Sequence, residues 1–448
     1  MGWFEHAKAG TVDARASGPI ERRLDARCGR GIRSEYRAAE AGSGVDAGAW
    51  FGVVVPVVGR AETAVAKISG TGLQICVERV VGAHYVTRLR VGYKHRVLVE
   101  PENYRVETLG EERGDMNKQK RVLVTGAGGF IGHHLVKRLK ADGCWVRGAD
   151  IKRPEYEASA ADEFEVLDLR KVECCLLATR GGIDEVYNLA ADMGGIGYIT
   201  ANHADISRNN ILINAQMLEA SRQNGVKRFL FSSSACVYNQ AKQKDPEVKP
   251  LKEEDAYPAD PEPGYGWEKL FAEELCRYYY KDYGFETRIV RFHNVYGPLG
   301  TYDGGKEKAP AAISRKVAMA SNGSEIEIWG DGEQTRSFMY VDDCVEGLTR
   351  IMASDYRDAL NLGTDELVTI NGLVDMVSGI AGKKLVKRHN LTGPQGVRGR
   401  NSDNTLLRKV LGWEPSIRLE QGLAITYKWI ASQVTKKPVE QSELVSAR

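Results

Sequence analysis

The sequence lacks the patterns that mark metal-binding, disulfide-rich or membrane-spanning chains. Its eight cysteines include no CxxC pair and follow no regular spacing, so we expect neither a zinc site nor a disulfide framework. This cysteine usage is typical of a reducing, cytoplasmic environment. The longest apolar run, from Trp50 to Gly59, is far too short to cross a bilayer, and no secretory signal follows Met1. The pair His133-His134 has no further metal-like partner, and we interpret it as surface.

An excess of one charge is also missing. The chain carries 62 Lys and Arg against 60 Asp and Glu, a net charge of +2, so no nucleic-acid partner is indicated. Its 448 residues, 42% of them hydrophobic, suffice for two or three globular units rather than a disordered chain.

Residues 1–115 differ in composition from the rest of the chain. They contain 14 Arg and 3 Lys, against 22 Arg and 23 Lys from residue 116 onward, and few sustained periodic stretches. An extra domain, a regulatory arm and an artefact of the assigned translation start are all open. We favour the third, because Met116 stands just before the first core strand and Glu111-Glu112 can be encoded by a purine-rich ribosome-binding sequence. An intact-mass spectrum of the native protein that retained residues 1–115 would contradict this hypothesis.

The strongest local pattern runs from Arg121 to Gly132 and reads RVLVTGAGGFIG. An apolar strand leads into a glycine-rich turn, and an amphipathic helix follows. Gly126 permits the tight turn, Gly129 lets the backbone approach a pyrophosphate, and Gly132 lets the helix pack against the strand. The positive N-terminal end of that helix then faces the phosphates. Glycines also mark ordinary turns, so the three glycines alone are weak evidence for a dinucleotide site. The preceding strand and the following helix make that interpretation stronger.

A second strand, CWVRGAD, ends in Asp150, 18 residues after Gly132. A carboxylate at this distance binds the ribose hydroxyls of NAD and repels the 2′-phosphate of NADP. We therefore predict NAD as the cofactor, although Lys152 and Arg153 follow closely and would suit a phosphate.

From residue 121 to about 300 the pattern alternates between strands and helices, which indicates a parallel sheet with helices on both faces. The predicted elements include strands at 163–169, 184–190, 228–234 and 286–292 and helices at 203–224 and 265–283. The predicted fold class is α/β, a doubly wound parallel (Rossmann) sheet with a smaller mixed C-terminal region. We assign 116–296 to an NAD-binding domain, 297–435 to an interleaved substrate-binding region and 436–448 to a polar tail.

Two polar segments stand where a doubly wound sheet binds its ligand, at the carboxyl ends of the strands. The segment 232–234 is SSS and ends a predicted strand, while Tyr265 and Lys269 share one face of a predicted helix. A nearby ammonium and the charge of a nicotinamide favour the phenolate, so Tyr265 would act as a base near neutral pH. The alternative is an exposed tyrosine–lysine pair on an amphipathic helix, which the upstream glycine turn and Asp150 disfavour.

The combination of TGAGGFIG, NLAA, SSS and YxxxK resembles the extended short-chain dehydrogenase/reductases that modify nucleotide sugars, over residues 116–435. The resemblance implies Tyr265 as the base on a sugar hydroxyl, Ser234 as a partner of that hydroxyl, and Lys269 as the residue that holds the nicotinamide ribose. The residues predicted to contact the cofactor are Gly126, Gly129, Phe130, Ile131, Gly132, Asp150, Asp168, Asn188, Ala190 and Lys269.

Finer segments, among them SSSACVY, GGKEKAPAA and GDGEQTRSF, resemble the members of this family that act on GDP-mannose. That resemblance implies NAD-dependent epimerisation of GDP-mannose at C3 and C5, to GDP-L-galactose and GDP-L-gulose, through a transient 4-keto intermediate. A 4-ketone acidifies the hydrogens on C3 and C5, and inversion needs an acid and a base on opposite ring faces. Cys236 and Lys308 would be that pair. A cysteine after a strand is otherwise most often a buried apolar residue, and Lys306 is the nearby alternative to Lys308, but the family motif selects the second lysine.

The resemblance also assigns residues to the substrate. Arg336 and Arg400 would bind the diphosphate, which the planar fork of arginine suits. The full predicted set is Gly194, Ser234, Ala235, Cys236, Asn294, Glu307, Lys308, Ala309, Lys316, Gln334, Arg336 and Arg400. A homodimer formed through helices that flank the sheet is expected from the family only.

Two other functions remain open. A sibling 4-epimerase or 4,6-dehydratase is disfavoured because Ala235-Cys236 stands where the dehydratases carry Asp-Glu and the 4-epimerases usually carry Ala-Thr. A non-catalytic NAD-binding protein of the same fold would typically have lost the tyrosine or the lysine, whereas Tyr265, Lys269 and Ser234 are all present.

Overall fold

The computed structural model describes residues 119–394 and 396–436, together with the backbone of four strands further upstream. Those strands form two antiparallel hairpins, β1 (Val65–Ser69) with β2 (Gly72–Cys76) and β3 (Arg88–Val91) with β4 (His95–Leu98). The chain divides into two units, Met1–Arg113 and Gly114–Arg448. The predicted translation start at Met116, and the predicted polar tail apart from Lys436, lie outside the described residues.

The second unit alternates strands and helices. Its strands are β5 (Arg121–Thr125), β6 (Trp145–Asp150), β7 (Glu163–Val166), β8 (Glu185–Asn188), β9 (Arg228–Ser234), β10 (Glu286–Phe292), β11 (Asn294–Tyr296), β12 (Glu325–Trp329), β13 (Thr335–Tyr340), β14 (Ala359–Leu362), β15 (Leu367–Thr369), β16 (Val386–Asn390) and β17 (Gly399–Arg400). Its helices are α1 (Phe130–Ala141), α2 (Val172–Thr179), α3 (Ile196–Ala201), α4 (His203–Gln223), α5 (Tyr265–Tyr283), α6 (Ala309–Met319), α7 (Val341–Ala353), α8 (Ile370–Ile380), α9 (Thr405–Leu411) and α10 (Leu419–Lys436).

Seven of these strands form one parallel sheet in the order β14–β10–β9–β8–β5–β6–β7. The chain moves outward from β5 through β6 to β7 and then crosses back to β8 on the other side of β5. The strand order therefore reverses between β5 and β8, and ligands of such sheets bind at the carboxyl ends of the strands at that reversal. The predicted doubly wound α/β fold is confirmed.

Both faces of this sheet are buried, because alternate residues of a strand enter different apolar cores. On β5, Val122 and Val124 belong to one core and Leu123 belongs to the other. The helices α1 and α7 contribute to the first core, and α2, α4 and α5 contribute to the second.

A smaller mixed region follows β10. Its central strand is β13, which pairs in parallel with β11 and β17 and antiparallel with β15. The strands β12 and β16 form a separate parallel pair, and α6 packs against α8 and α10. The stretch 297–435 also contains β14, which pairs with β10 in the large sheet, so the two regions are interleaved.

The local sequence pattern predicts the elements around the strand reversal well. The bounds of β9, α5 and β10 are those predicted. The strands predicted at 163–169 and 184–190 end earlier, at Val166 and Asn188, and the residues beyond them form loops on the ligand side of the sheet. Among the described residues, no helix combines the length and the apolar character that a membrane span requires.

Candidate active site

The glycine turn after β5 has the geometry that a dinucleotide requires. Gly126 has a φ of +70°, a left-handed conformation that favours glycine. A Cβ on Gly132 would collide with the carbonyl oxygen of Gly126, so only glycine lets α1 begin this close to the turn. Gly129 precedes α1, and Phe130 and Ile131 form its first turn, which carries no acidic side chain and no side-chain cap. The positive end of α1 is therefore open to an anion.

Asp150 closes the turn from the end of β6. Its carboxylate accepts hydrogen bonds from the backbone N–H groups of Gly128 at 2.9 Å and Lys152 at 3.2 Å. Burial raises the pKa of Asp150, and these hydrogen bonds partly oppose the rise. A cavity of about 600 Å³ is lined by residues 153–159, Ala161 and Phe164. The anion-binding turn and the carboxylate of Asp150 together fit NAD, and the cavity lies in the segment that follows β6.

Three more predicted cofactor residues, Asp168, Asn188 and Ala190, lie at or just beyond the ends of β7 and β8. Asn188 is fully buried and accepts a hydrogen bond from the Thr125 hydroxyl at 2.8 Å. The backbone N–H of Ala190 donates to the same hydroxyl at 3.1 Å. Asp168 forms a bidentate ion pair with Arg170, at 2.8 and 2.9 Å, which lowers the pKa of Asp168. These contacts order the loops around the glycine turn, while direct contact of Asp168 with NAD stays a prediction.

The two histidines of α1 pack inward. His133 is buried, and its Nε2 lies 3.4 Å from a carboxylate oxygen of Glu157. His134 is partly buried, and its Nε2 lies 3.0 Å from the carbonyl oxygen of Pro298. The interpretation of this pair as surface is therefore wrong, because helix α1 is covered by the segments that contain Glu157 and Pro298.

Tyr265, Lys269 and Ser234 meet at the carboxyl end of β9. Ser234 is the last residue of β9 and hydrogen bonds to the Tyr265 phenol. Lys269 Nζ donates to the carbonyl oxygen of Ser232 at 2.9 Å and lies 5.6 Å from the centroid of the Tyr265 ring. Both Tyr265 and Lys269 are buried. The structure thus brings together the three residues that the sequence predicts for hydroxyl oxidation.

The protein alone does not favour the Tyr265 phenolate, contrary to the expectation from the sequence. Burial raises the pKa of Tyr265 well above its ordinary value, Glu268 raises it further, and the Ser234 hydrogen bond only partly opposes the rise. Glu268 also offsets the charge of Lys269, since 3.9 Å separates Glu268 Oε1 from Lys269 Nζ. The positive charge of a bound nicotinamide is therefore needed to lower this pKa.

Two asparagines of α4 hold Glu268 in place. The amides of Asn210 and Asn214 donate to its two carboxylate oxygens, at 2.9 and 3.2 Å. Asn214 also accepts a hydrogen bond from Asn188 Nδ2 at 3.1 Å. A buried chain of hydrogen bonds therefore connects the end of β8, beside the cofactor turn, with α5.

Cys236 lies in a 3₁₀ turn, Ala235–Val237, directly after β9, and both Ala235 and Cys236 are buried. Its Sγ accepts a hydrogen bond from Arg400 Nη1 at 3.6 Å, and Arg400 forms an ion pair with Glu262. Burial raises the pKa of Cys236 to about 11, with Glu262 adding to the rise and Arg400 opposing it. The thiol is therefore protonated near neutral pH.

Lys308 is held near this thiol by the start of α6. It precedes the first residue of α6 and is partly buried. Burial lowers the pKa of Lys308, and the neighbouring Cys236 and Cys344 partly oppose this change. The alternative, Lys306, is exposed, and its Nζ lies 3.8 Å from the centroid of the Tyr198 ring. The structure favours Lys308 over Lys306 as the partner of Cys236.

Three further predicted substrate residues surround Lys308 and the loop after β8. Glu307 and Ala309 flank Lys308 in the chain, and Gly194 lies in the loop after β8. A hydrogen bond from Gly195 N to the carbonyl oxygen of Lys306, at 3.1 Å, joins the loop to the segment before α6. These residues therefore share one wall of the site.

Another group lies along β13. Asn294 donates to the carbonyl oxygen of Ser337 at 3.1 Å, next to Arg336. Burial and the neighbouring Arg400 lower the pKa of Arg336 to about 10. Among the described residues, the buried Oε1 of Gln334 has no hydrogen-bond partner. The Nε2 of Gln334 donates to the carbonyl oxygen of Trp329 at 3.1 Å, and contact of Gln334 with the substrate stays a prediction.

Two further predicted substrate residues bind protein groups in the structure. Lys316 lies eight positions beyond Lys308 on α6, about 12 Å along the helix, and donates to the carbonyl oxygen of Glu327 at 2.7 Å. Arg400 is buried against Cys236 rather than open toward a diphosphate, because neighbouring side chains engage all three of its guanidinium nitrogens. Contact of either residue with substrate stays a prediction.

Comparison with known proteins identifies the family. Residues 122–363 match the model of the NAD dependent epimerase/dehydratase family. The chain belongs to this family. GDP-mannose 3,5-epimerase of Arabidopsis thaliana is 49% identical over 343 residues, which are 76% of this chain and 90% of that relative.

Solved structures of nucleotide-sugar epimerases share the fold. The UDP-glucose 4-epimerase of Thermotoga maritima with UDP-glucose matches with a TM-score of 0.63 and 28% identity, over 70% of this chain and 99% of that one. The UDP-glucose 4-epimerase of Thermus thermophilus in complex with NAD matches with a TM-score of 0.59 and 25% identity, over 69% and 98%. The predicted epimerase class and NAD cofactor are confirmed.

Three polar residues of this epimerase/dehydratase site were missed from the sequence. Glu262 and Gln243 belong to the polar stretch between β9 and α5, where no periodicity predicts which side chains turn inward. Glu268 stands next to Lys269, and adjacent residues of a helix point in different directions. The sequence pattern therefore did not predict that Glu268 would be buried beside the lysine. Their partners lie far away in the chain, and only the fold brings them together.

Proposed function

We propose that this protein epimerises GDP-mannose at C3 and C5, to GDP-L-galactose and GDP-L-gulose, through a transient 4-keto intermediate. The observation that carries the proposal is the pair of Cys236 and Lys308 beside Tyr265, in a chain 49% identical to a GDP-mannose 3,5-epimerase. A thiol and an amine add nothing to an oxidation at C4, but they are what proton transfer at the neighbouring carbons requires.

The first step is the oxidation of the C4 hydroxyl. Bound NAD supplies the acceptor, and later the donor, of the hydride at C4. Tyr265 takes the proton of the C4 hydroxyl while Ser234 holds that hydroxyl in place, as their shared position at the end of β9 allows. Lys269, fixed by the carbonyl oxygen of Ser232, would hold the nicotinamide ribose. Re-reduction returns the proton from Tyr265 and leaves no net redox change.

The second step is the inversion of carbons next to the ketone. Cys236 and Lys308 exchange protons with C3 and C5, one taking a proton from one face of the ring and the other giving a proton to the opposite face. The raised pKa of Cys236 and the lowered pKa of Lys308 mean that the protein alone favours the uncharged thiol–amine form. One proton transfer between them produces the thiolate–ammonium form, so each group can serve as acid or base.

The proposal is tested by proton NMR of GDP-mannose incubated with the protein and NAD in D₂O. We expect deuterium to enter at C3 and C5 and new galactose-type and gulose-type signals to appear. Change only at C4, or loss of water, would replace the proposal with a sibling 4-epimerase or 4,6-dehydratase. No reaction with NAD bound would favour a non-catalytic NAD-binding protein.

We also propose that the protein is a cytoplasmic homodimer. Large apolar side chains are exposed on the adjacent helices α4 and α5, where a second copy would cover them. They are Ile211, Leu212, Trp267, Phe271 and Tyr278. All six described cysteines are free, as a reducing compartment would keep them.

A further inference from the structure

A buried ion pair stands against the Cys236 thiol and has no place in the reaction as derived so far. Arg400 donates from Nη1 to Cys236 Sγ at 3.6 Å, from Nε to Gln243 Oε1 at 2.7 Å, and from Nη2 to Glu262. Only 7% of Arg400 is exposed, so the guanidinium is removed from water. A buried arginine needs a carboxylate partner, and Glu262 supplies it.

We infer that Glu262 is a positioning residue, which holds the Arg400 guanidinium against Cys236 and counterbalances its charge at the sulfur atom. This inference rests on the proposed function, because it concerns the thiol that would move protons at C3 and C5. The Arg400 contact brings a cation to Cys236, and a cation favours the thiolate. The carboxylate of Glu262 opposes that effect and keeps the sulfur as a thiol.

The geometry gives Glu262 three connections to Cys236. Its backbone N–H donates to the carbonyl oxygen of Cys236 at 3.0 Å, which fixes the two residues relative to each other. Its side chain binds the arginine that binds the sulfur, and its carboxylate also hydrogen bonds to the Cys236 thiol. Because the backbone connection does not depend on the side chain, a change of the carboxylate to an amide leaves that connection intact and alters the other two.

Other charged or titratable groups also face Cys236, and they bear on its ionisation. They are Tyr265 and Lys269 on α5, Lys308 before α6, Arg336 on β13 and Arg400 on β17, with Glu262 in the loop before α5. Four of these five, Lys269, Lys308, Arg336 and Arg400, are cations that a thiolate would interact with favourably. Burial and Glu262 outweigh them in the protein, and the pKa of Cys236 is raised to about 11.

The test is the pH profile of Cys236 alkylation in the Glu262→Gln variant of the full chain with NAD bound. Iodoacetamide reacts with the thiolate, and peptide mass spectrometry reports the fraction of Cys236 modified over time. We expect the profile of Glu262→Gln to move to lower pH, so that alkylation at pH 8 is about tenfold faster than in the wild type. The control is Glu247→Gln, an exposed glutamate of the same loop, which we expect to leave the profile unchanged.

A second variant gives the opposite sign. In Arg400→Gln the cation is removed and Glu262 remains, so we expect the alkylation profile to move to higher pH. Unchanged profiles, or shifts of both variants in the same direction, would overturn the inference. If Glu262→Gln does not fold, as thermal unfolding would show, the sign of the Arg400→Gln shift decides alone.

Failure of the inference and failure of the proposed function are distinguishable. Alkylation needs no sugar substrate, whereas deuterium exchange at C3 and C5 tests the reaction. If the wild type exchanges no deuterium but the two profiles shift as expected, Glu262 positions the arginine at a thiol of another reaction. If the wild type exchanges deuterium and the profiles do not shift, the epimerisation stands and Glu262 is only structural.

Discussion

Burial changes the protonation of three side chains at the centre of the site, and their charged neighbours only partly oppose it. The pKa values of Tyr265 and Cys236 are raised and that of Lys308 is lowered, in each case chiefly by loss of water. All three are thereby favoured in their uncharged forms. The charges that the reaction needs must then come from bound NAD, from the substrate, or from proton transfer between these groups.

Substitution of the proposed acid–base pair should stop inversion and spare the cofactor. In Cys236→Ser and in Lys308→Ala we expect deuterium incorporation at C3 and C5 to fall by a factor of about 10² or more. The bound NAD, measured by its absorbance after release, should not change, because neither residue belongs to the glycine turn. Cys174→Ser, a partly exposed cysteine on α2, is the matched control. Undiminished exchange in either variant would remove that residue from the mechanism.

Acidification should destabilise the protein through His293. This histidine is fully buried near Asn361, and burial lowers its pKa from 6.5 to about 3. The folded state therefore binds a proton less readily than the unfolded state. The contribution of His293 to the free energy of unfolding is fully present above pH 6.5. It is lost as the pH falls toward 3, at about 1.4 kcal/mol per pH unit.

Urea unfolding at pH 7 and at pH 5.5 checks this linkage. We expect the free energy of unfolding of His293→Gln to fall less between the two pH values than that of the wild type, by about 1 kcal/mol. His134, whose pKa burial also lowers, contributes equally to both proteins. Equal losses in the two proteins would mean that His293 does not titrate as its burial implies.

Single functional residues were predictable where a short, fixed spacing in the sequence separates residues that act together. Four residues separate Tyr265 from Lys269, and Asp150 follows the glycine turn at the distance that a ribose requires. Glu262 and Arg400 were not predictable as a pair, since 138 positions separate them and neither lies in a periodic segment. Arg400 itself was expected at a diphosphate, and only the fold shows it against Cys236.

At the scale of elements, the approach of α5 to the 3₁₀ turn after β9 sets the distance between the oxidation and inversion groups. Gly266, the second residue of α5, makes this approach possible, because a Cβ there would collide with the carbonyl oxygen of Cys236. Any larger residue must push the start of α5, and Tyr265 with it, away from the site.

Gly266→Ala should therefore lower both activity and stability. We expect a loss of about 10²-fold in epimerisation rate, from displacement of Tyr265, and a loss of about 1–3 kcal/mol in the free energy of unfolding from the collision. Gly379→Ala is the control, because a Cβ at that exposed position of α8 meets no other atom within 4 Å. That variant should keep its activity and gain about 1 kcal/mol or less from its higher helix propensity. Equal behaviour of the two variants would contradict the packing role of Gly266.

Element bounds were predictable where the apolar period is regular and the strands are buried. The observed limits of β9, α5 and β10 follow the pattern of the sequence. The strand β14 was not recognised in the stretch 297–435, although it pairs with β10. Parallel pairing joins segments that lie far apart in the sequence, so no local pattern indicates it. The four residues of β14 are also too few to show a hydrophobic periodicity.

At the scale of the whole molecule, the apolar patch on α4 and α5 predicts a specific mode of assembly. Trp267, Phe271 and Tyr278 follow one another along a single face of α5, and 51–54% of each is exposed. The Phe271→Glu variant should place a charge in the centre of the patch. We expect it to sediment as a monomer at micromolar concentration, where the wild type sediments as a dimer.

Met319→Glu provides the matched control for this prediction. Met319 is 63% exposed on α6, away from α4 and α5, so its substitution should leave the dimer intact. Dissociation by both substitutions, or by neither, would mean that the patch on α4 and α5 is not the interface. A monomeric wild type would refute the homodimer outright.

The two chemical tasks of the proposed reaction have different origins along the chain. The residues that oxidise the hydroxyl, Ser234, Tyr265 and Lys269, lie on β9 and α5. The parallel sheet and the two apolar cores on its faces hold these elements in place. The proton-moving groups Cys236 and Lys308 come from a turn and the start of α6, and the ion pair beside Cys236 comes from a loop and the two-residue strand β17. Substitution of a few side chains in these short segments could therefore change what happens to the ketone, while the hydride transfer supported by β9 and α5 stays the same.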